Sequence, residues 1–491
     1  MDYSQFLAMK QEIALLGVFL LVFLYDLFMP KNSQRGLSGF TIAIFAIFTV
    51  SCFCPVFISG HEVAFGGMYV TNPVMLTIKN ILNVGMLIVL IQASRWANSE
   101  MQVIRRGEFY SLMLVTLFGM YLMISARHFL LFVIGLECAS LPLAAMVAFE
   151  KNHYESHEAA IKYILTAVFS SAIFMLGLSF VYGLAGSLYF DSVYFALTGA
   201  DATDPMLIVA LAFVMAGVGF KLSLVPFHLW TADVYQGAPT SVTSYLSVIS
   251  KGSAAFAFMV ILTQVFGCVY SQVWEWMLYA LIILTITVGN LFALRQHNMK
   301  RFLAFSSISQ AGYIMLGIIG CNAMGMASLM FYILVYIFSN LAAFGVIQAI
   351  ENQTGKVDMT DYRGLYKSNP HLSVVMMLAM FSLAGIPPFA GFFSKFFIFT
   401  GALSGTESTA LYVLVLIALI NTIISLFYYL LVVKAMFLSS DEPVIAPFRS
   451  ACSERVGMWI TVAGILALGL VSCFYNQILI LCQTWGLPSL A

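Results

Sequence analysis

The stretch LAGIPPFAGFFSKFF, residues 383–397, sets two consecutive prolines and a lysine inside an apolar run that extends over residues 370–403. An unbroken helix of that length would measure about 50 Å, well beyond the roughly 30 Å of hydrocarbon in a bilayer. Proline lacks the amide hydrogen that bonds the carbonyl four residues back, so Pro387 and Pro388 predict a break that frees the carbonyls of Leu383 and Ala384. Such groups at membrane depth must face protein or water. A broken helix with a charge beside it, here Lys395, is the pattern of a transporter ion site.

The same pattern occurs earlier. In GVGFKLSLVPFHLW, residues 217–230, Pro226 frees the carbonyl of Leu222 beside Lys221, and in TSYLSVISKGSAAF, residues 243–256, Lys251 lies in a further apolar run. A lysine at the centre of a membrane costs from roughly 3 to more than 10 kcal/mol, so three of them need compensation or a purpose. They read as parts of an ion pathway.

Composition fixes the solvent. Of 491 residues 61% are hydrophobic and 9% charged, and the mean hydropathy of +0.95 belongs to an all-α polytopic membrane protein. The 22 basic and 22 acidic residues cancel, which gives a nucleic-acid partner no electrostatic support. Eight scattered cysteines without a CxxC pair or a Cys/His cluster argue against zinc or iron–sulfur ligation. Of the seven histidines, only His228 lies deep enough in an apolar segment to matter, so a bis-histidine haem has no ligands.

Fourteen apolar segments can each cross a bilayer: 11–29, 39–58, 73–94, 108–125, 129–148, 159–185, 206–228, 240–266, 273–294, 301–319, 327–350, 370–403, 411–437 and 457–484. The first begins with Asp2 and Glu12 and has no small-residue cleavage site before Pro30, so it reads as a retained span and not a signal peptide. Loops on one side carry Lys31, Arg35, Arg95, Arg105, Arg106, Lys151, Arg295, Lys300, Arg301, Lys356, Arg363, Lys367, Lys434, Arg449 and Arg455. The other side has Lys10 and Arg127. This positive-inside bias puts both termini outside, and one missed helix would destroy it.

The broken spans, seventh and twelfth, are five helices apart and therefore cross in opposite directions. That placement predicts two inverted five-helix repeats, spans four to eight and nine to thirteen. The expected division is a three-helix segment at 1–107, a first repeat at 108–266, a second at 267–437 and a C-terminal helix at 438–491.

Polar residues line two of these spans. Thr240, Ser244, Ser247 and Lys251 share a helical face, and Ser306, Ser309, Gln310 and Tyr313 make a second. Hydroxyls there either hold water between lysines or mediate helix packing. Glu137, in LFVIGLECASLPL, is the deep carboxylate, with Asp26 nearer the end of its span. A carboxylate and a lysine about 6 Å apart attract by roughly 3 kcal/mol at an effective dielectric near 20. A lysine that alternately gains and loses such a partner moves between charged and neutral near pH 7, which a proton carrier requires.

The stretches FKLSLVPFHLWTADVYQGAPTSVTSYLSVISKGSAAF (220–256), NLFALRQHNMKRFLAFSSISQAGY (290–313) and LAGIPPFAGFFSKF (383–396) closely resemble the antiporter-like membrane subunits of respiratory complex I, the NADH-quinone oxidoreductase. The resemblance covers about residues 108–437. It implies fourteen transmembrane helices with an inverted repeat, and Lys395 together with the chain length points to the member nearest the quinone-bearing arm. By the same resemblance Glu137 and Lys221 match an input pair, Lys251 the central lysine and Lys395 the output lysine. His228 matches a histidine near the connection and Lys162 a further lysine of the sixth span. Lys162, like Lys79 in the third span, also suits a snorkelling side chain near a helix end.

The resemblance further implies a proton-translocating subunit that holds no cofactor itself. NADH, FMN, iron–sulfur clusters and quinone would belong to other subunits. Its partners would be membrane-arm and peripheral-arm subunits and the lipid of a bacterial inner membrane, with a plastid origin as the alternative. A multisubunit Na+/H+ antiporter is the second reading, and a quinone-binding redox protein a third that lacks ligands for haem, flavin or cluster.

Overall fold

The computed structural model describes residues 3–29, 36–54, 57, 61–99, 105–199, 204–269, 274–405, 408–438, 442–471 and 473–486. Lys31 and Arg35, two of the loop charges used for orientation, lie outside them. The chain opens with α1 (Lys10–Phe28), α2 (Leu37–Ser51), a small hairpin of β1 (Glu62–Ala64) and β2 (Tyr69–Thr71), and α3 (Pro73–Ala97). The strands pair antiparallel with Val63 opposite Val70. Next come α4 (Arg106–Ser125), α5 (Phe129–Val147), α6 (Tyr154–Ala185), the short α7 (Phe190–Thr198), and the half-helices α8 (Pro205–Leu222) and α9 (Leu229–Gly237). The eighth span is α10 (Thr240–Tyr245), a π-helical turn over Leu246–Ser250, and α11 (Lys251–Gln264).

The second half follows with α12 (Glu275–Ala293), α13 (Met299–Ile319), α14 (Ala323–Thr354), the single turn α15 (Leu365–Ser368), the half-helices α16 (Pro370–Ala384) and α17 (Ala390–Leu403), and α18 (Thr409–Phe437). Two helices, α19 (Cys452–Leu470) and α20 (Cys473–Trp485), end the chain. Among the described residues twelve helices are long and apolar enough to cross a membrane, and the shorter α2 and the broken α16–α17 pair complete the fourteen-span pattern.

One expected span is redrawn. Residues 457–484 are two helices and not one, because α19 ends at Leu470, where Val471 is extended. Its successor α20 carries Asn476, Gln477 and Gln483 and buries a single face, Tyr475, Ile478 and Cys482, against α3 and α14. Thirteen residues with that many amides make a helix that packs on the bundle, too short for a full crossing.

The two halves repeat each other bond for bond. In the first, Phe129 N donates to Leu188 O (3.0 Å) and Phe190 N to Arg127 O (3.0 Å), joining the turn before α5 to the chain after α6. In the second, Met299 N donates to Val357 O (2.8 Å) and Met359 N to His297 O (2.7 Å), joining the turn before α13 to the chain after α14. Both α6 and α14 have 32 residues and end on a left-handed glycine, Gly186 and Gly355. At the crossing of α4 and α5 a Cβ on Gly119 would stand 2.5 Å from Ala139 N, and at that of α12 and α13 one on Gly289 would stand 2.7 Å from Ser309 N. Only glycine lets the backbones approach so closely.

The breaks match as well. Ser223 and Gly385 take left-handed conformations, and Leu224 N bonds back to Gly219 O as Ile386 N does to Phe381 O, so α8 and α16 end in the same closing turn. Helix α6 packs on α8 and α9, and α14 on α16 and α17. The α11 and α13 helices, buried along their membrane-spanning stretches, form the seam between the halves.

Candidate functional site

The three lysines of the apolar runs are all buried, with 3% of Lys221, 2% of Lys251 and 6% of Lys395 exposed. Each amine has a partner, and the partners differ in kind. Lys221 Nζ donates to Ser140 Oγ on α5 at 2.7 Å. Lys251 Nζ donates to Ser307 Oγ on α13 at 2.8 Å and lies 5.5 Å from the centre of the Tyr235 ring. Lys395 Nζ donates to Ala384 O at 3.0 Å and lies 5.3 Å from the Tyr313 ring.

The twelfth-span break therefore behaves as its prolines predict. Both freed carbonyls find donors: Ala384 O takes Lys395, and Leu383 O takes Gln310 Nε2 at 3.5 Å. Geometry explains why Lys221 does not do the same at its own break. Side chains of a helix tilt toward its N-terminus. Lys395 follows its break and tilts back to it, whereas Lys221 precedes its break and tilts away, toward α5.

Glu137 is on α5 one turn before Ser140, and its Oε1 is buried with no hydrogen-bond partner. It forms no ion pair with Lys221 among the described residues, whose buried amine is held by the serine hydroxyl instead. The expected pair is thus open in this structure.

From Lys221 toward Lys251 the wall is aromatic. Tyr163 stands 5.2 Å from Trp230, and Trp230 stands 6.4 Å from Tyr235, whose ring lies under the Lys251 amine. Along this wall the Tyr163 and Tyr235 hydroxyls, Thr231 Oγ1 and His228 Nδ1 are buried without partners. Buried polar atoms of this kind are normally satisfied by internal water. None of the three rings was legible as functional, because aromatic residues in a membrane helix read as packing.

From Lys251 to Lys395 the link is one face of α13. Ser307 holds Lys251; one turn on, Gln310 holds Leu383 O, donates to the Tyr429 hydroxyl at 3.1 Å and accepts from the Tyr332 hydroxyl; a further turn on, Tyr313 faces Lys395. Ser306 also meets the Tyr429 hydroxyl. A cavity of about 10 Å³, lined by Gln310, Tyr336, Ser339, Ser382, Ser394 and Lys395, adjoins it. Of the polar face expected on this span, Gln310 and Tyr313 lie in this link, whereas Ser306 meets Tyr429, Ser309 returns to its own helix, and Ser307, which holds Lys251, was not among the expected residues.

The other expected polar face has a different job. Thr240 donates to Glu351, Ser247 accepts from Asn340 Nδ2 at 2.8 Å, and the hydroxyls of Ser244 and Ser247 return to carbonyls of their own helix. These contacts fasten α10 to α14. The π turn just before Lys251 shifts the register of the face, which no sequence pattern announced.

Lys162 stands apart from the buried line. It is 41% exposed and pairs with Glu158 Oε1 (2.7 Å) and Asp233 Oδ2 (2.6 Å), while Arg301 Nη1 pairs with Asp233 Oδ1 (2.7 Å). This cluster borders an open crevice of about 170 Å³ on the charge-rich side, next in sequence to Tyr163.

A fully buried ion pair, Lys79 with Glu12, was not expected as a site. The two side chains are 0% and 1% exposed, and the amine lies 5.5 and 5.4 Å from the Tyr69 and Tyr121 rings. Lys79 alone reads as snorkelling and Glu12 as a charge at the start of its span; only the fold, which packs α1 and α3 both against α2 and α4, brings them together. Removing one partner of such a pair costs about 3–5 kcal/mol, while replacing both with apolar groups is often neutral. Lys79→Met is thus expected to lower the thermal unfolding midpoint of the purified protein sharply, and Lys79→Met/Glu12→Leu to restore most of it.

Two inverted repeats with broken helices and a buried, partnered lysine line define the class of polytopic ion-transport proteins with antiporter-like halves. Residues 126–425 match the family model described as NADH:quinone oxidoreductase/Mrp antiporter, TM, and the chain belongs to that family, where it groups with the subunit N chains. A subunit N of NADH-quinone oxidoreductase from Phocaeicola vulgatus is 52% identical over 97% of this chain and 98% of its own, and one from Desulforamulus reducens is 36% identical over 95% of each. Among solved structures, a chain of respiratory complex I from Thermus thermophilus is 32% identical, with a TM-score of 0.78 over 96% of this chain and 98% of its own. A chain of the Mrp complex from Dietzia sp. shares the fold, with a TM-score of 0.81 over 98% of this chain and 97% of its own, at 20% identity.

Proposed function

We propose that this chain is the proton-translocating membrane-arm subunit N of an NADH-quinone oxidoreductase. The observation that carries the reading is the line of buried groups from Glu137 through Lys221, Lys251 and the α13 face to Lys395, hydrogen-bonded at each lysine and lined by aromatic rings between Lys221 and Lys251. In this scheme a proton enters near the Lys162–Asp233 cluster, the Glu137–Lys221 pair opens and closes, His228 and the aromatic wall support transfer to Lys251, and Lys395 delivers the proton outward. NADH oxidation and quinone reduction take place in other membrane-arm and peripheral-arm subunits, whose NADH, FMN, iron–sulfur clusters and quinone this chain does not hold. The repeats correspond to residues 108–266 and 267–437, after a three-helix segment at 1–107.

The high identity to subunit N chains favours this over a multisubunit Na+/H+ antiporter, for which the Dietzia structure supports the fold alone. The loop charges favour both termini on the periplasmic side, and the likeness to bacterial subunit N chains favours a bacterial inner membrane. A membrane-impermeant maleimide that reached the exposed Cys54 from the cytoplasmic side would reverse that orientation. The function is tested by purifying the chain from its native membrane and assaying vesicles. Co-purification with NADH dehydrogenase subunits, and NADH-driven proton uptake that disappears when the chain is deleted, is the expected result; co-purification with antiporter subunits and Na+-driven proton exchange would replace it.

A further inference from the structure

A basic crevice on the charge-rich side plays no part in the lysine line. Residues 444–450 strap across the start of α16: Asn369 Nδ2 donates to Ala446 O at 3.1 Å, and Phe448 N donates to Asn369 Oδ1 at 3.0 Å. Between this strap, α16 and α19 lies a cavity of about 370 Å³ lined by His371, Arg449, Arg455 and Trp459, with Leu372 and Met458. It is a built recess, held by side-chain-to-backbone bonds.

Its charge is unbalanced. Neither Arg449 nor Arg455 has a carboxylate at ion-pair distance among the described residues. Glu454, adjacent in sequence to Arg455, is occupied by Arg95 Nη1 (3.1 Å), Asn352 Nδ2 (2.9 Å) and the Ala451 amide (2.9 Å). Arg455 Nε is buried with no hydrogen-bond partner. No carboxylate among the described residues balances these guanidiniums, so an anion from outside the chain can supply the counter-charge. The 15-residue α16 adds the positive end of its dipole at the same place.

The surroundings specify what kind of anion. Beside the crevice Trp459 is 57% exposed, Val456 46% and Val374 36%, an apolar outer face with a tryptophan at the level where headgroups lie. A soluble anion would have no use for that face. We propose that the crevice binds the headgroup of an anionic phospholipid, with its phosphate between Arg449 and Arg455 and its acyl chains along Leu372, Met458, Trp459 and the exposed valines. Basic pockets between membrane helices on the cytoplasmic side are suited to such headgroups.

The test uses the assembled complex, purified in mild detergent, stripped of lipid and re-exposed to phosphatidylglycerol, phosphatidylcholine or inorganic phosphate. Native mass spectrometry then reads lipid retained on this chain. The wild type is expected to keep one phosphatidylglycerol in preference to phosphatidylcholine, and Arg449→Gln/Arg455→Gln to retain at least tenfold less. Arg295→Gln, which changes an exposed arginine elsewhere on the same side, should match the wild type. Equal retention by the double variant, or equal retention of phosphatidylcholine, overturns the proposal. So does displacement of the lipid by millimolar phosphate, which would mark a free-anion site, or cross-linking of this face to an acidic segment of a neighbouring subunit. The wild-type lipid comparison decides the matter even if the double variant fails to assemble.

Discussion

Complexes carrying Lys395→Ala are expected to translocate protons about tenfold more slowly, a barrier change of roughly 1.4 kcal/mol, while the subunit still assembles. The structure separates the two effects. Losing the amine leaves Ala384 O unpartnered, at about 1–3 kcal/mol, and removes a cation from the C-terminal end of α16, at about 0.3–1 kcal/mol. A bundle with two central helices buried along their membrane-spanning stretches withstands costs of that size. The relay does not, because Gln310 and Tyr313 then lead to no titratable group. Lys395→Arg is the decisive companion: a guanidinium keeps the charge and can cap the carbonyl, but it does not release its proton. Arginine should therefore restore the thermal unfolding midpoint and leave translocation as low as alanine does. Proton uptake per NADH oxidised in inverted vesicles measures the one and the unfolding midpoint the other. Recovery of both by arginine would make Lys395 a structural capping residue.

The twelfth-span break was readable because one rule, the missing proline amide, names the two carbonyls that must find donors, and Lys395 and Gln310 supply them. On α13, Gln310 and Tyr313 were readable from helical spacing, but Ser307, which holds Lys251, was not part of the expected face of Ser306, Ser309, Gln310 and Tyr313. What escaped the sequence depends on contacts between helices distant along the chain. Lys221 looked like the partner of Glu137, yet the direction of its side chain takes it to Ser140. Glu12 and Lys79 are far apart in sequence and each looked peripheral. The division of the last span escaped because Leu470 and Cys473 are both apolar, and only packing distinguishes a crossing helix from one lying against the bundle.

The repeat gives these observations an order. Because Gly119 approaches Ala139 as Gly289 approaches Ser309, Glu137 and Ser140 on α5 occupy the places that Ser307 and Gln310 hold on α13. The same two positions thus serve lysines in both halves: Ser140 binds Lys221, Ser307 binds Lys251, and Gln310 sits at the break beside Lys395. Only the first half carries a carboxylate there, so only the first half can stabilise a charged lysine by pairing. That asymmetry supports the proposed proton capture on the Glu137 side, with hydrogen bonds and aromatic faces holding the charge further on.

Lys251 is where the halves join, and Lys251→Met is expected to reduce proton translocation as severely as Lys395→Ala, about tenfold or more, by removing the titratable group between the two links. Its two contacts make graded controls. Tyr235→Phe keeps the ring 5.5 Å from the amine, and so most of an interaction worth about 0.5–2 kcal/mol, but deletes a buried hydroxyl whose neighbour is the Ser307 hydroxyl. Ser307→Ala keeps the ring and hydroxyl and deletes the direct acceptor of the amine. If the amine only anchors α11 to α13, Ser307→Ala should approach Lys251→Met in both stability and translocation, and Tyr235→Phe should be silent. If Lys251 passes a proton along the aromatic wall, Tyr235→Phe should slow translocation several-fold with little change in the unfolding midpoint, because the phenol's neighbour, the Ser307 hydroxyl, keeps its own bonds to Lys251 Nζ and Ala304 O. The second outcome is the expected one: at a junction built from one serine, one ring and a buried phenol, the phenol is the group that packing alone does not explain.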